Sequence, residues 1–369
     1  MKAVRTGVIG CGNIAPIYLK NGNLFADYTI VACADKDLGR AKARAGEFGV
    51  PRACSVDEIL ADPEIELILN LTTPDAHGLI GKRAIEAGKS VYNEKPLAVT
   101  REEARNLLEL AGAKGVLVGA GPDTFLGGGL QTCRKLIDEG AIGEPVAATA
   151  FMLCPGHESW HPDPAFYYQT GGGPLFDMGP YYLTALVSLL GPVEQVTGSA
   201  RITFPERTIT SNPRAGARIP VETPTHIAGC IEFAAGVVAT MTMSFDVWAH
   251  HLPRLELHGS EGSLSLPDPN TFGGPVCLWH KDHPAWTPVA LSHSYDDNMR
   301  GLGAADMAAA IRRERPHRAN GTMAYHVLDV MQAILDAARL GRHVQLASAC
   351  DRPAPLIENP PPGRVELEA

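Results

Sequence analysis

Residues Thr6-Gly7-Val8-Ile9-Gly10-Cys11-Gly12-Asn13-Ile14-Ala15 decide the reading of this 369-residue chain. A short apolar run ends at Gly10, and the pattern G-x-G-x-x-A then opens a segment with helical periodicity. Gly10 permits a tight turn, Gly12 lets the backbone approach a pyrophosphate, and Ala15 permits close helix–strand packing. At Asn13 and Ile14 the helix start adds backbone N–H groups and the positive end of the helix dipole. Alone the fingerprint is weak, because glycines also cluster in ordinary turns. Asp35 strengthens it by closing the next apolar run, where an acidic side chain meets the ribose hydroxyls of a dinucleotide. A carboxylate there repels a 2′-phosphate, so NAD is preferred to NADP, although Lys36 and Arg40 stand near enough to serve such a phosphate.

Working outward, the spacing predicts strands at 6–10, 29–35, 67–72, 90–94 and 116–120. Helices are expected between them at 13–22, 37–48, 55–61, 76–88 and 100–114. Strands alternating with helices imply βαβ units and a parallel sheet buried on both faces. Beyond residue 125 the pattern changes. A helix at 128–138 stops at Gly140 and Gly143, and β-type runs follow at 144–153, 195–204, 225–233, 236–245, 254–259 and 262–266. Two of these junctions read as hairpins, which implies an antiparallel sheet. Helical stretches fit 174–190, 303–313 and 321–340. The expected organisation is therefore α/β over 1–122, with a Rossmann dinucleotide-binding domain. An α+β domain with a large, mostly antiparallel sheet follows over 123–350, and then a proline-rich tail over 351–369.

Composition narrows the function classes. Apolar residues make up 45% and charged residues 20%, enough for a sizeable core and against wholesale disorder. A formal charge of −9 carries no electrostatic footprint for nucleic acid or an anionic membrane. No run approaches the ~18 apolar residues of a membrane span, and no signal-peptide pattern opens the chain, so a cytoplasmic protein is expected. The eight cysteines form no C-x-x-C pair and the thirteen histidines no H-E-x-x-H, so no metal site is signalled.

Asn93-Glu94-Lys95-Pro96 ends a predicted strand. Further on stands Gly171-Gly172-Gly173-Pro174-Leu175-Phe176-Asp177-Met178-Gly179-Pro180-Tyr181, and its helix closes at Leu190-Gly191-Pro192. With the nucleotide fingerprint, this order resembles the Gfo/Idh/MocA family of oxidoreductases over nearly the whole chain, including the stretch 300–330. E-K-P alone is commonplace; joined to G-G-G-x-x-x-D-x-G it is specific. The resemblance implies a Rossmann domain plus a sheet-based second domain, and interconversion of a secondary alcohol and a ketone on a sugar, polyol or glycoside with NAD(P). It also implies a homodimer or homotetramer built through the second domain's sheet. Thr72, Pro74 and His77 are implied to line the nicotinamide side, and Glu94 to accept from the ribose or carboxamide. Two departures stand out: Tyr181 replaces the histidine of the common D-x-G-x-H, and Thr184 stands where many relatives carry Asp.

Oxidising a carbinol requires hydride removal by the nicotinamide and management of the hydroxyl proton. Lys95 lies at the carboxyl end of a parallel strand, where ligands gather, and its ammonium suits a developing alkoxide. Asp177 and Tyr181 are four residues apart and share a helix face. Asp177 is expected in the first turn, where the dipole favours its ionised form. Tyr181 is expected as proton donor and acceptor, its pKa brought down by Lys95. His157-Glu158-Ser159-Trp160-His161 and Phe166-Tyr167 offer rings and polar groups suited to a carbohydrate, with Trp160 and His161 the favoured substrate contacts. His326 reads as a core histidine. Two other functions fit the same scaffold: NAD-dependent glycoside hydrolysis through transient oxidation, and a non-catalytic NAD-sensing regulator.

Overall fold

A computed structural model describes residues 2–367. The first half is a six-stranded parallel sheet of β1 (Val4–Ile9), β2 (Tyr28–Ala34), β3 (Ala53–Cys54), β4 (Leu67–Asn70), β5 (Ser90–Asn93) and β6 (Val118–Ala120). Its helices are α1 (Ala15–Asn21), α2 (Leu38–Phe48), α3 (Val56–Ala61), α4 (Pro74–Glu86) and α5 (Arg101–Lys114). Local chemistry sets the helix ends. Asp37 and Thr100 cap α2 and α5, Ser55 and Glu58 form a capping box on α3, and Gly49 and Gly115 end α2 and α5 in left-handed conformation.

Strand order is β3-β2-β1-β4-β5-β6, so the chain reverses direction across the sheet between β1 and β4. Register then aligns the strand ends: Ile9 pairs with Ala34 and Asn70, Asn70 with Asn93, and Asn93 with Ala120. Gly10, Asp35 and Glu94 therefore leave the sheet along one edge, at the switch point where open α/β sheets bind ligands.

The second half begins with α6 (Gly128–Asp138), β7 (Pro145–Leu153) and α7 (Gly173–Leu190). Ten strands form its main sheet: β7, β8 (Val193–Val196), β9 (Ser199–Arg201), β12 (His226–Phe233), β13 (Val238–Ser244), β14 (Leu255–Gly259), β15 (Gly262–Ser265), β16 (Val276–His280), β17 (His283–Val289) and β18 (Val344–Gln345). A separate hairpin pairs β10 (Glu206–Thr208) with β11 (Arg218–Pro220). Within the main sheet only the β7–β13 pairing is parallel, among the described residues. The long apolar α7 packs on β12, β13 and β7, and its far side meets α9 (Gly321–Leu340). Preceding it, α8 (Leu302–Arg313) returns to pack on β1 and β6, and α9 reaches α5 and β6. No described helix is long and apolar enough to cross a membrane.

Three differences from the sequence reading have physical causes. The run 195–204 is two short strands, because α9 presses on the break at Gly198, where a Cβ would lie 2.2 Å from the Ile334 carbonyl oxygen. β17 escapes the pattern because Pro284 and Pro288 interrupt it; it lies at the sheet edge, where a missing N–H is tolerated. The segment after 350 has no regular structure but is not a loose tail. Leu356 and Val365 are fully buried, Arg134 donates to the Pro353 carbonyl, and the Ala26 N–H donates to the Gly363 carbonyl at 2.9 Å.

Candidate active site

The sheet edge begins with Gly10, whose φ of +101° and a virtual Cβ 2.5 Å from the Leu71 carbonyl group admit no side chain. Gly12 is the opposite case: nothing lies within 4 Å of its virtual Cβ, so the backbone there faces open space. Asn13 is exposed and Ile14 half-buried, and Ile14 precedes α1 without a side-chain hydrogen bond to the first turn. Asp35 is almost buried; it accepts from the Cys11 N–H at 2.8 Å and the Asp37 N–H at 2.9 Å, while Arg40 approaches to 3.7 Å. A carboxylate oxygen has two lone pairs, so each still has capacity for a ribose hydroxyl. Open backbone at Gly12 and a carboxylate at the end of β2 fit an NAD molecule laid along this edge.

The neighbouring loops are bound to each other. Thr72 donates its hydroxyl to Asn70 at 2.6 Å, and Asn70 donates to Asn93 at 3.0 Å. Pro74 is half-buried and opens α4, a first helical position that suits a proline. His77 is corrected: it is 1% exposed, with one ring nitrogen 2.7 Å from the Pro96 carbonyl oxygen and the other 3.1 Å from that of Thr72. Both nitrogens face backbone carbonyls of the loops after β4 and β5, so the buried ring joins those loops instead of standing open to a cofactor. Burial pushes its pKa down. Glu94 accepts from the Tyr18 hydroxyl at 2.7 Å and from the Lys95 N–H at 2.9 Å.

Lys95 and α7 meet beside this edge. The Lys95 ammonium donates to Asp177 Oδ1 at 2.8 Å and to the Asp177 carbonyl at 2.6 Å. Gly173, with φ of +83° and a virtual Cβ 2.9 Å from the Pro224 carbonyl oxygen, explains the glycine run that leads into the helix. Because α7 starts at Gly173, Asp177 lies past its first turn, contrary to expectation. Its ionised form therefore rests on Lys95 rather than on the helix dipole. Burial opposes ionisation, yet the Lys95 ammonium and the His157 imidazole together hold the Asp177 carboxyl down at about 2. Burial likewise works against the Lys95 charge, but Asp177 and Tyr181 keep its pKa above the ordinary lysine value.

Tyr181 is buried, and the Lys95 nitrogen sits 5.3 Å from its ring centroid. The expectation of a lowered phenol pKa is corrected: burial raises it and outweighs the pull of Lys95 and Arg300. Arg300, which sequence reasoning passed over, turns its guanidinium toward Tyr181 while donating to Asn298 and Asn270. It follows a loop without periodicity, so no local pattern could have marked it.

His157 is the second residue whose position is tertiary. Its Nε2 lies 3.5 Å from Asp177 Oδ2, and its ring packs on Tyr167 at 4.1 Å, Phe245 at 4.6 Å and Trp160 at 5.2 Å between centroids. Trp160 is 60% exposed at the rim of this cluster. His161 stacks edge-on with Trp160 at 5.3 Å and accepts the Asp163 N–H, so one ring nitrogen is occupied by its own loop. Glu158 is also occupied: Tyr168 donates to it at 2.6 Å and Arg207 at 3.0 Å. His326 is fully buried and accepts the Val193 N–H, as a core histidine does. Thr184 is buried too, close to Pro96, Pro180 and Met323. No group of three or more His, Cys, Asp or Glu side chains arranged to hold a metal occurs among the described residues.

Known proteins share this plan. Residues 4–121 match the oxidoreductase family with an NAD-binding Rossmann fold, and residues 130–265 match the GFO/IDH/MocA C-terminal domain. An uncharacterized oxidoreductase of Rhizobium meliloti is 32% identical over 284 residues, covering 73% of this chain and 76% of its own. The 1,5-anhydro-D-fructose reductase of Ensifer adhaerens is 29% identical over 266 residues, covering 70% and 74%. Matches to such relatives span 64–76% of their lengths. Levoglucosan dehydrogenase, solved with NADH and L-sorbose, superposes with a TM-score of 0.80 at 23% identity, over 94% of this chain and 100% of that one. Fold, paired domain matches and sequence identity agree, and the chain belongs to the Gfo/Idh/MocA family of NAD-binding oxidoreductases.

Proposed function

We propose that the protein interconverts a secondary alcohol and a ketone on a sugar, polyol or glycoside, with NAD as hydride carrier. The observation that carries this reading is the Lys95–Asp177 ion pair with Tyr181 beneath it, standing at the same strand ends as Gly10, Gly12 and Asp35. Relatives named for anhydrofructose and levoglucosan support a carbohydrate substrate. NAD supplies the redox chemistry when bound. The rest falls to side chains. Gly10, Gly12, Asn13 and Ile14 hold the phosphates, Asp35 the adenosine ribose, and Thr72, Pro74 and Glu94 the nicotinamide end. Lys95 donates to the carbinol oxygen and stabilises its developing negative charge in a water-poor site. Asp177 fixes the direction of that ammonium, and protonated Tyr181 is suited to donate a hydrogen bond to the substrate oxygen. Trp160 and His161 form the outer contacts of the sugar.

Lys95→Met tests the assignment. Titration with NAD should give unchanged affinity, while NADH formation from sugars, inositols and glycosides should fall by roughly 10³-fold or more. Turnover near the wild-type rate would refute it. Cleavage of a glycoside without net NADH would point to hydrolysis through transient oxidation. NAD binding without turnover by the wild type would point to a sensor.

The uncovered face of the large sheet also supports association of two or four copies. Its central residues, Ala147, Thr149, Ala228, Cys230, Thr240 and Thr242, are small and uncharged, which suits face-to-face packing. Sedimentation of the purified chain should give a dimer or tetramer, and a monomer at micromolar concentration would exclude it.

A further inference from the structure

The inner site carries a group that the reading above leaves without a task. The His157 side chain is 12% exposed, and both ring nitrogens are buried without a hydrogen-bond partner. Burying such polar atoms unsatisfied is costly, so native structures seldom do it without a use. The ring is tightly placed by Tyr167, Phe245 and Trp160, and the backbone N–H of His157 donates to the Tyr168 hydroxyl at 3.3 Å. One edge of the imidazole therefore stays directed at Asp177, with Nε2 at 3.5 Å from Oδ2 while Lys95 holds Oδ1 at 2.8 Å.

The other polar groups nearby leave an opening in the proton chemistry. Carbinol oxidation releases one proton from the hydroxyl as the C–H electron pair leaves with its hydrogen as hydride. Lys95 is already an ammonium, Tyr181 is held as the neutral phenol, and Tyr167 is pushed up to about 12 by burial and by Asp177. Asp177, held down at about 2, is a weak proton acceptor. Glu158 is paired with Arg207 and receives the Tyr168 hydroxyl, and His161 lies farther out, beyond Trp160. His157, with Nε2 facing the Asp177 oxygen that Lys95 does not hold, is the remaining nitrogen base against that carboxylate.

We infer that His157 holds the proton released in this reaction, receiving it through Asp177 and returning it when the ketone is reduced. The inference rests on the oxidoreductase reading. In balance, the substrate O–H bond breaks and an N–H bond forms at His157 Nε2. Lys95 and Asp177 end in the states in which they began, and the imidazolium is neutralised by the restored carboxylate. His157 acts through Asp177 and is a positioning residue in this sense, placed to accept charge without touching the sugar.

The test uses the full chain with NAD and an oxidisable polyol. His157→Gln should lower kcat by roughly 100-fold, leave KM within about threefold, and remove the neutral-range limb of the kcat–pH profile. His157→Ala should recover rate when imidazole is added. Independently of activity, the His157 ring ¹⁵N resonances at pH 7 should move in Asp177→Asn, because the carboxylate facing Nε2 is gone. A neutral-range limb that persists in His157→Gln, or His157 ring resonances unmoved by Asp177→Asn, would overturn the inference. Failure of the oxidoreductase reading looks different: wild type and Lys95→Met would then form NADH equally poorly.

Discussion

Lys95 and Asp177 are 82 residues apart in the chain, yet the ammonium of one meets the carboxylate of the other at 2.8 Å with both side chains largely buried. One comes from the loop after a parallel strand and the other from a helix of the second domain, so the pair joins the two halves of the molecule. A buried pair of this kind is costly to break, because removing one partner leaves the other charge desolvated.

Asp177→Asn should therefore destabilise the fold by about 3 kcal/mol at pH 7, read by urea unfolding. The pH dependence has a definite sign. The Asp177 carboxyl is depressed to about 2 in the folded chain, against about 3.9 for an unfolded Asp. Its contribution is present above pH ~4 and lost as pH falls toward 2. The stability gap between wild type and Asp177→Asn should thus narrow below pH 4; a gap constant from pH 7 to pH 3 would contradict the pairing.

Two glycines of the same loop should respond in opposite ways. Gly12→Val meets open space, so stability should change by less than about 0.5 kcal/mol while NAD affinity drops about tenfold or more. Gly10→Ala meets the Leu71 backbone at 2.5 Å and an unfavourable φ, and should cost roughly 1–3 kcal/mol or more in strain alone. Thermal melts with and without NAD separate the two; equal loss of stability in both would contradict the open cradle at Gly12.

Asp35→Ser should weaken the use of NAD about 10- to 100-fold in kcat/KM, the value of a charge-assisted hydrogen bond. It also frees Arg40, now 3.7 Å from Asp35, to meet a 2′-phosphate. The NADP to NAD ratio of kcat/KM should rise, and an unchanged ratio would remove Asp35 from cofactor selection.

Much of this architecture is legible locally. Gly10, Gly12, Ala15 and Asp35 carry their meaning through backbone freedom, size and charge at fixed spacing, and the strand–helix alternation around them is a periodicity that a short window contains. Glu94-Lys95-Pro96 and the glycine run before Asp177 are legible in the same way, as segments whose residue types suit one turn. His77 shows where local reading stops: a histidine at a helix start looks available for a ligand, and only the approach of the Pro96 carbonyl from another loop shows the ring buried between backbone carbonyls. The start of α7, one residue earlier than expected, similarly removed Asp177 from the reach of the helix dipole.

From sequence alone came the two-domain plan, the dinucleotide edge and the Lys95, Asp177 and Tyr181 set, because each is written in short-range pattern or in motif order. The tertiary structure alone decided which charges neighbour one another. Burial and packing between distant segments set the protonation of Tyr181, brought Arg300 and His157 to it and to Asp177, and turned the final proline-rich segment into part of the core. Charge interactions and desolvation depend on distances in space that sequence separation does not encode.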